Sequence, residues 1–220
     1  MADRYSCFAE LAAQERAGVD YRVRVVSRSS PVAIVAPHGG RIEPGTSEIA
    51  DLLAGRDFSL YCFESLGCGK NLHITSSRFD EPQALALVGA AEIVATVHGR
   101  ADGGDAAAIW LGGLHAPFRD ALAARLERAG FATSTDHHMQ GRHPENICNK
   151  GRLRAGVQIE LPRSMRNAFR SDAERRGAFV AACRAAIAEA AGALGPGPSA
   201  QAMTCGTTTL RFAIRPPRSR

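Results

Sequence analysis

Three short apolar runs each lead straight into a histidine or a carboxylate. Residues 32–36 (Val-Ala-Ile-Val-Ala) pass through Pro37 to His38. Residues 93–97 (Ile-Val-Ala-Thr-Val) end on His98, and residues 157–159 (Val-Gln-Ile) end on Glu160. Runs this short, bounded by turn residues and rich in β-branched side chains, read as buried strands. In an open α/β sheet, sites form at the carboxyl ends of the strands, where all three polar residues fall.

The rest of the chain alternates strand-like and helix-like segments. Residues 2–17 read as a short amphipathic helix, and residues 21–26, apolar alternating with arginine, as a half-exposed strand. Gly39, Gly40, Pro44 and Gly45 place a loop before a helix over residues 48–53, capped by Thr46 or Ser47 and ended by Gly55. Further strands are expected at 58–63, 106–111 and 131–135, and helices at 81–91, 115–129 and 171–191. Pro162 is expected to end the pairing of the strand at 157–161. Two polar stretches, 64–80 and 136–151, are long for structureless connections, and loops of that length are often functional. The pattern predicts an α/β fold, a three-layer α/β/α sandwich around a mixed sheet. It predicts one domain over residues 1–195, then a glycine–proline linker, an edge strand at 207–214 and a frayed tail.

Composition narrows the classes. The chain has 220 residues and a net charge of +5, and every basic residue except Lys70 and Lys150 is an arginine. Arginine grips carboxylates and phosphates with a planar fork, which fits an anionic partner; a GC-rich coding sequence gives the same bias. Aromatics are only 6%, against nucleic-acid binding by stacked bases. No run reaches the roughly 20 apolar residues of a membrane span. The N-terminus carries charge where a secretion signal needs an apolar core, so a cytoplasmic protein is expected, unless it is released by another route. Six dispersed cysteines without a C-x-x-C pair argue against a cysteine metal site. Reduced thiols are expected, with a Cys62–Cys68 loop disulfide as the alternative.

The chemistry lies in the three strand ends. His38 and Glu43 are five positions apart, about 140° on a helix, but on a glycine-rich loop they can converge. With His98 they make a two-histidine, one-carboxylate set of zinc type, which leaves a fourth position for water. Glu160 is then the general base and acid. Lys150, Arg152, Arg154, Arg163, Arg166 and Arg170 bracket Glu160, and Arg78 sits in the other polar loop, where forks for an acidic substrate would be needed. His137, His138 and His143 form a rival metal cluster. Dinucleotide, P-loop and nucleophile-elbow motifs are absent.

Pro37-His38-Gly39-Gly40-Arg41-Ile42-Glu43-Pro44-Gly45-Thr46, then Asn71-Leu72-His73-Ile74-Thr75-Ser76, Val97-His98-Gly99 and Gly156-Val157-Gln158-Ile159-Glu160-Leu161 occur in order over nearly the whole chain. In these segments it resembles the poly-γ-glutamate hydrolase family, zinc enzymes first associated with bacteriophages and similar to compact zinc carboxypeptidases. The resemblance implies a carboxypeptidase-like mixed-sheet fold, one zinc ion on His38, Glu43 and His98, and Glu160 as general base and acid. It implies hydrolysis of γ-glutamyl amides in an anionic polymer, with Arg78, Asn149, Arg152 and Arg163 toward the substrate. His73 lies in a matching segment without an assigned role. A deacylase of small N-acyl amino acids, and a non-catalytic zinc-stabilised binder of anionic polymers, are the other readings. A fourth ligand from His73 or His137 would mark the last.

Overall fold

A computed structural model describes residues 3–67, 70–103 and 105–194. In chain order its elements are α1 (Phe8–Gln14), β1 (Tyr21–Val26), β2 (Val32–Gly40), α2 (Thr46–Ala54), β3 (Ser59–Ser65), α3 (Pro82–Ala90), β4 (Ile93–Arg100) and β5 (Ile109–Gly112). There follow α4 (Ala116–Arg128), β6 (Thr133–Ser134), a single 3-10 turn (Ile147–Asn149), β7 (Val157–Pro162), α5 (Arg163–Ser171) and α6 (Ala173–Gly192). The seven strands form one sheet in the order β1-β3-β2-β4-β7-β5-β6. Parallel pairs join β3, β2, β4 and β7, while β1 and β5 pair antiparallel with their inner neighbours. The sheet is therefore mixed.

Apolar side chains on both faces of β2 and β4 demand cover on both sides. On one face, Val32, Ile34, Ile93, Ala95 and Val157 pack with Leu53 of α2, Leu122 of α4, Phe169 of α5 and Phe179 of α6. On the other, Ala33, Val35 and Val94 pack with Leu11 of α1, Val88 of α3 and a chain segment carrying Leu72, Ile74 and Phe79. The result is the expected three-layer α/β/α sandwich.

Several boundaries differ from the sequence expectation for physical reasons. β2 does not stop at Ala36 but runs through Pro37 to Gly40, with a register shift against β3 between Ala36 and Gly39. Pro37 has no N–H for the ladder, and an irregularity of this kind accommodates it and re-aims the next side chain, His38. Neither Thr46 nor Ser47 caps α2: Gly45 takes the cap position at φ 98°. Thr46 instead donates its hydroxyl to the Glu43 carbonyl at 2.8 Å. The stretch 64–80 is less of a loop than its polarity implied, because Leu72, Ile74 and Phe79 are buried. α5 was not foreseen. Its charged sequence hides an apolar pair, Met165 and Phe169, at i, i+4 spacing. Asp172 separates it from α6 and caps the latter through the Arg175 N–H at 2.8 Å. The expected edge strand at 207–214 and tail, and the partner Cys68 of the alternative disulfide, lie outside the described residues; Cys62 is a buried free thiol.

Candidate metal centre

The bulged end of β2 delivers His38, the following turn delivers Glu43, and β4 delivers His98 one strand over. All three side chains are largely withdrawn from solvent. His38 Nδ1 stands 3.2 Å from Glu43 Oε1 and 3.2 Å from His98 Nδ1, while His98 Nδ1 is 3.8 Å from Glu43 Oε2. One ligand atom from each residue lies within 4.8 Å of the other two. Glu43 Oε2 also accepts the Gly99 N–H at 2.7 Å, which binds the turn to β4.

The hydrogen bonds say what the three can hold. His38 Nε2 donates to the Ile74 carbonyl at 2.8 Å, because a carbonyl can only accept. In the neutral ring this leaves Nδ1 bare, facing a carboxylate and a second imidazole. A ligating histidine ordinarily has its other nitrogen fixed by such a carbonyl. Burial works against a charge on His38, but the Glu43 carboxylate outweighs it and raises the pKa of the imidazole. Burial pushes His98 down to about 3, so that ring is neutral. Two lone-pair nitrogens and a carboxylate around one point are a donor set for a divalent cation of zinc type. Among the described residues no fourth side chain of ligand type joins them.

Glu160 lies beside this centre, since β4 and β7 pair His98 with Glu160. Its carboxyl is buried, Oε1 accepts from Gln158 Nε2 at 2.8 Å, and Oε2 has no hydrogen-bond partner among the described residues. Burial, then the nearby charge of Glu43, raises its pKa well above the usual carboxyl range.

The remaining expected residues divide. The Arg78 guanidinium pairs through Nη2 with Asp3 Oδ2, and its side chain is otherwise half exposed. Asn149 is fully buried and its amide is spent: Nδ2 donates to Gly141 O and His143 O, and Oδ1 accepts from Leu114 N and Gly156 N. It staples the 136–156 segment. Arg152 pairs with Glu92 at 3.3 Å and donates its N–H to Ala91 O, at the amino end of β4, away from His98. Arg163 begins α5 at the carboxyl end of β7, exposed and without an ion pair among the described residues. His137 bonds Leu111 O, and His143 accepts from Glu145 N, so the rival histidine cluster does not converge.

Two arginines close to the site carry structural work that spacing did not reveal. Arg166 is buried against Gly99 and donates to Leu161 O, Arg100 O and Pro44 O, clamping β7, β4 and the Glu43 turn together. Arg100 donates to Ala101 O, Asp102 O, Asp105 O and Ala108 O, with its guanidinium 3.8 Å from the Trp110 ring centre. A cleft of 630 Å³ opens at Glu43, lined also by Arg41, Ile42, Lys70, Leu72, His73, Gly99 and Met139.

Known proteins share this architecture. A family model described as poly-gamma-glutamate hydrolase matches residues 5–182. YndL of Bacillus subtilis is 39% identical over 172 residues, which are 76% of this chain and 67% of that protein. The prophage-derived YoqZ of the same organism is 36% identical, covering 75% of this chain and 61% of that one, so the chain spans about two thirds of these relatives. Among solved structures, a bacteriophage poly-gamma-glutamate hydrolase superposes with a TM-score of 0.81 at 29% identity, over 87% of this chain and 100% of that one. A YndL structure described as apo and zinc-free gives 0.79 at 35% identity, over 86% and 99%. With the match running from before β1 into α6, the chain belongs to the poly-γ-glutamate hydrolase family.

Proposed function

We propose that this chain hydrolyses γ-glutamyl amide bonds of poly-γ-glutamate, with one zinc ion held by His38, Glu43 and His98 and with Glu160 as the proton carrier. The observation that carries the reading is the pairing of a bare, convergent donor set with a buried carboxyl one strand away. A zinc ion in that set would supply Lewis acidity, polarising a carbonyl and acidifying a water.

The side chains do the rest. Gln158 holds Oε1 of Glu160 and leaves Oε2 free. Oε2 takes the proton of the attacking water, and the same atom returns it to the leaving amine nitrogen. The raised proton affinity of Glu160 suits both halves of that transfer. Arg166 keeps the Glu43 turn against β4 and β7, so the donor set and the carboxyl stay in register. Arg163, at the carboxyl end of β7 and without an ion pair among the described residues, is a guanidinium suited to take a substrate carboxylate. The exposed side chain of Arg41 borders the cleft, in keeping with an extended anionic chain; Lys70, also at its edge, is paired with Glu15 and Asp20. The zinc-free description of the YndL structure supports the choice of metal.

Glu160→Gln tests the reading. Turnover of poly-γ-glutamate, followed by release of amine, should fall by about 10²- to 10⁴-fold, with bound zinc unchanged. Turnover like the wild type in that variant would remove Glu160 from the mechanism.

A further inference from the structure

Next to the centre sits a second histidine–carboxylate pair that the mechanism does not use. His73 Nδ1 is 2.6 Å from Asp3 Oδ1. The other oxygen of Asp3 accepts the Thr75 N–H at 2.7 Å and the Arg78 guanidinium. The Asp3 side chain is 4% exposed although it lies near the start of the chain. The His73 ring packs on His38, with centroids 4.1 Å apart and planes tilted by 36°. It also lines the cleft that opens at Glu43.

This geometry sets what the ring can offer. Asp3 accepts from the Thr75 N–H and pairs with the Arg78 guanidinium, so it is a carboxylate, and a carboxylate only accepts. The proton therefore sits on Nδ1, and Nε2 carries the lone pair. Nε2 has no hydrogen-bond partner among the described residues, and a third of the side chain is open to the cleft, 31% by area. Ring contact with His38 places the imidazole against the face of that side chain. His73 is not among the side chains whose ligand atoms converge within 4.8 Å at the centre, so it does not supply the fourth ligand that the sequence left open. A neutral imidazole with its proton on Nδ1 is an acceptor at Nε2. What an acceptor beside a hydrolytic centre meets in a polyamide is an N–H.

We propose that His73 is a substrate-positioning residue: held by Asp3, it accepts an amide N–H of the bound chain at Nε2 and so sets the register of the scissile bond over the centre. The proposal rests on the hydrolytic reading above for its substrate class. It explains why a buried carboxylate from residue 3 is brought across to the loop at 71–78. That carboxylate fixes the tautomer and ring plane, as an orienting group does for a working histidine.

The test compares His73→Phe and His73→Gln, zinc-loaded, on oligo-γ-glutamate of defined length, with zinc content measured on each. Phe keeps a planar ring without an acceptor, and Gln returns an oxygen near the place of Nε2. One hydrogen bond is worth about 1 kcal/mol, or about fivefold in affinity. His73→Phe should raise KM about 5- to 10-fold with kcat within about threefold and zinc unchanged, and His73→Gln should recover part of the loss. An unchanged KM in His73→Phe, or loss of zinc from it, overturns the proposal, the latter by making His73 a support for His38. A wild-type protein that holds zinc but neither binds nor cleaves the oligomer would overturn the hydrolytic reading itself, a result distinct from either.

Discussion

At the residue scale, much of the site depends on which hydrogen-bonding atoms are spent and which are left over. His38 Nε2 is spent on Ile74 O, and its Nδ1 remains. Glu160 Oε1 is spent on Gln158, and its Oε2 remains. Asn149, with the same composition-level promise as Glu160, has nothing left. Spacing along the chain can find His38, Glu43, His98 and Glu160 because each ends an apolar run or follows one closely. It cannot tell a saturated amide such as that of Asn149, or a guanidinium paired with a carboxylate as in Arg152 and Arg78, from one without an ion pair among the described residues, such as Arg163. Arg163 gives the residue-scale prediction. Arg163→Gln should raise KM for the polymer several-fold at low salt, and the difference should shrink at high ionic strength, because an exposed charge is screened. Steady-state kinetics at two salt concentrations decide it, and a KM equal to that of the wild type at low salt would exclude Arg163 from substrate binding.

At the element scale, the end of β2 matters most. Its irregular register around Pro37 aims His38 inward, and Gly40 at φ 64° turns the chain toward Glu43. A Cβ on Gly40 would run into the backbone of Ser65, so no flexible side chain can give way. Gly40→Ala should therefore lower the melting temperature and weaken zinc binding together, by displacing the turn that carries Glu43. Calorimetry and metal titration check both, and a variant with wild-type values for each would show that the turn is not held this way. The periodic elements were legible from the sequence: β1 spans the expected residues and α4 lies within one residue of them at each end. α5 was not, because a helix with two buried apolar residues and four arginines or serines on its other face resembles a charged loop until a core is present to receive Met165 and Phe169.

At the scale of the whole molecule, the sheet brings its working residues to one end of the strands, as open α/β sheets do. The three-layer architecture followed from strand–helix alternation, while the strand order and the antiparallel β5 needed tertiary information. Residues 3–7, before α1, belong to the domain. Asp3 reaches His73, Thr75 and Arg78, while Tyr5 and Lys70 both bond the buried Glu15. Hydrogen bonds from Thr75 and His73 overcome burial and lower the Asp3 pKa from 3.8 to about 2. A depressed carboxyl pKa contributes stability that is fully present above the unfolded value, near pH 4, and is lost as pH falls toward 2. The wild type should therefore melt higher than Asp3→Asn at pH 6, and the gap should close between about pH 4 and 2. Thermal melts across that range check it, and a gap that persists at pH 2 would assign the effect to packing.

The proposed hydrolytic mechanism depends on the convergence of His38, Glu43 and His98 around one cation. The most direct measurement is zinc per chain in purified protein, made in parallel on His38→Ala with a melting curve to confirm that the variant is folded. One zinc per chain in the wild type and none in a folded variant is the predicted result. A wild type that takes up no zinc, or a variant that keeps it, would contradict the centre and the hydrolytic mechanism built on it.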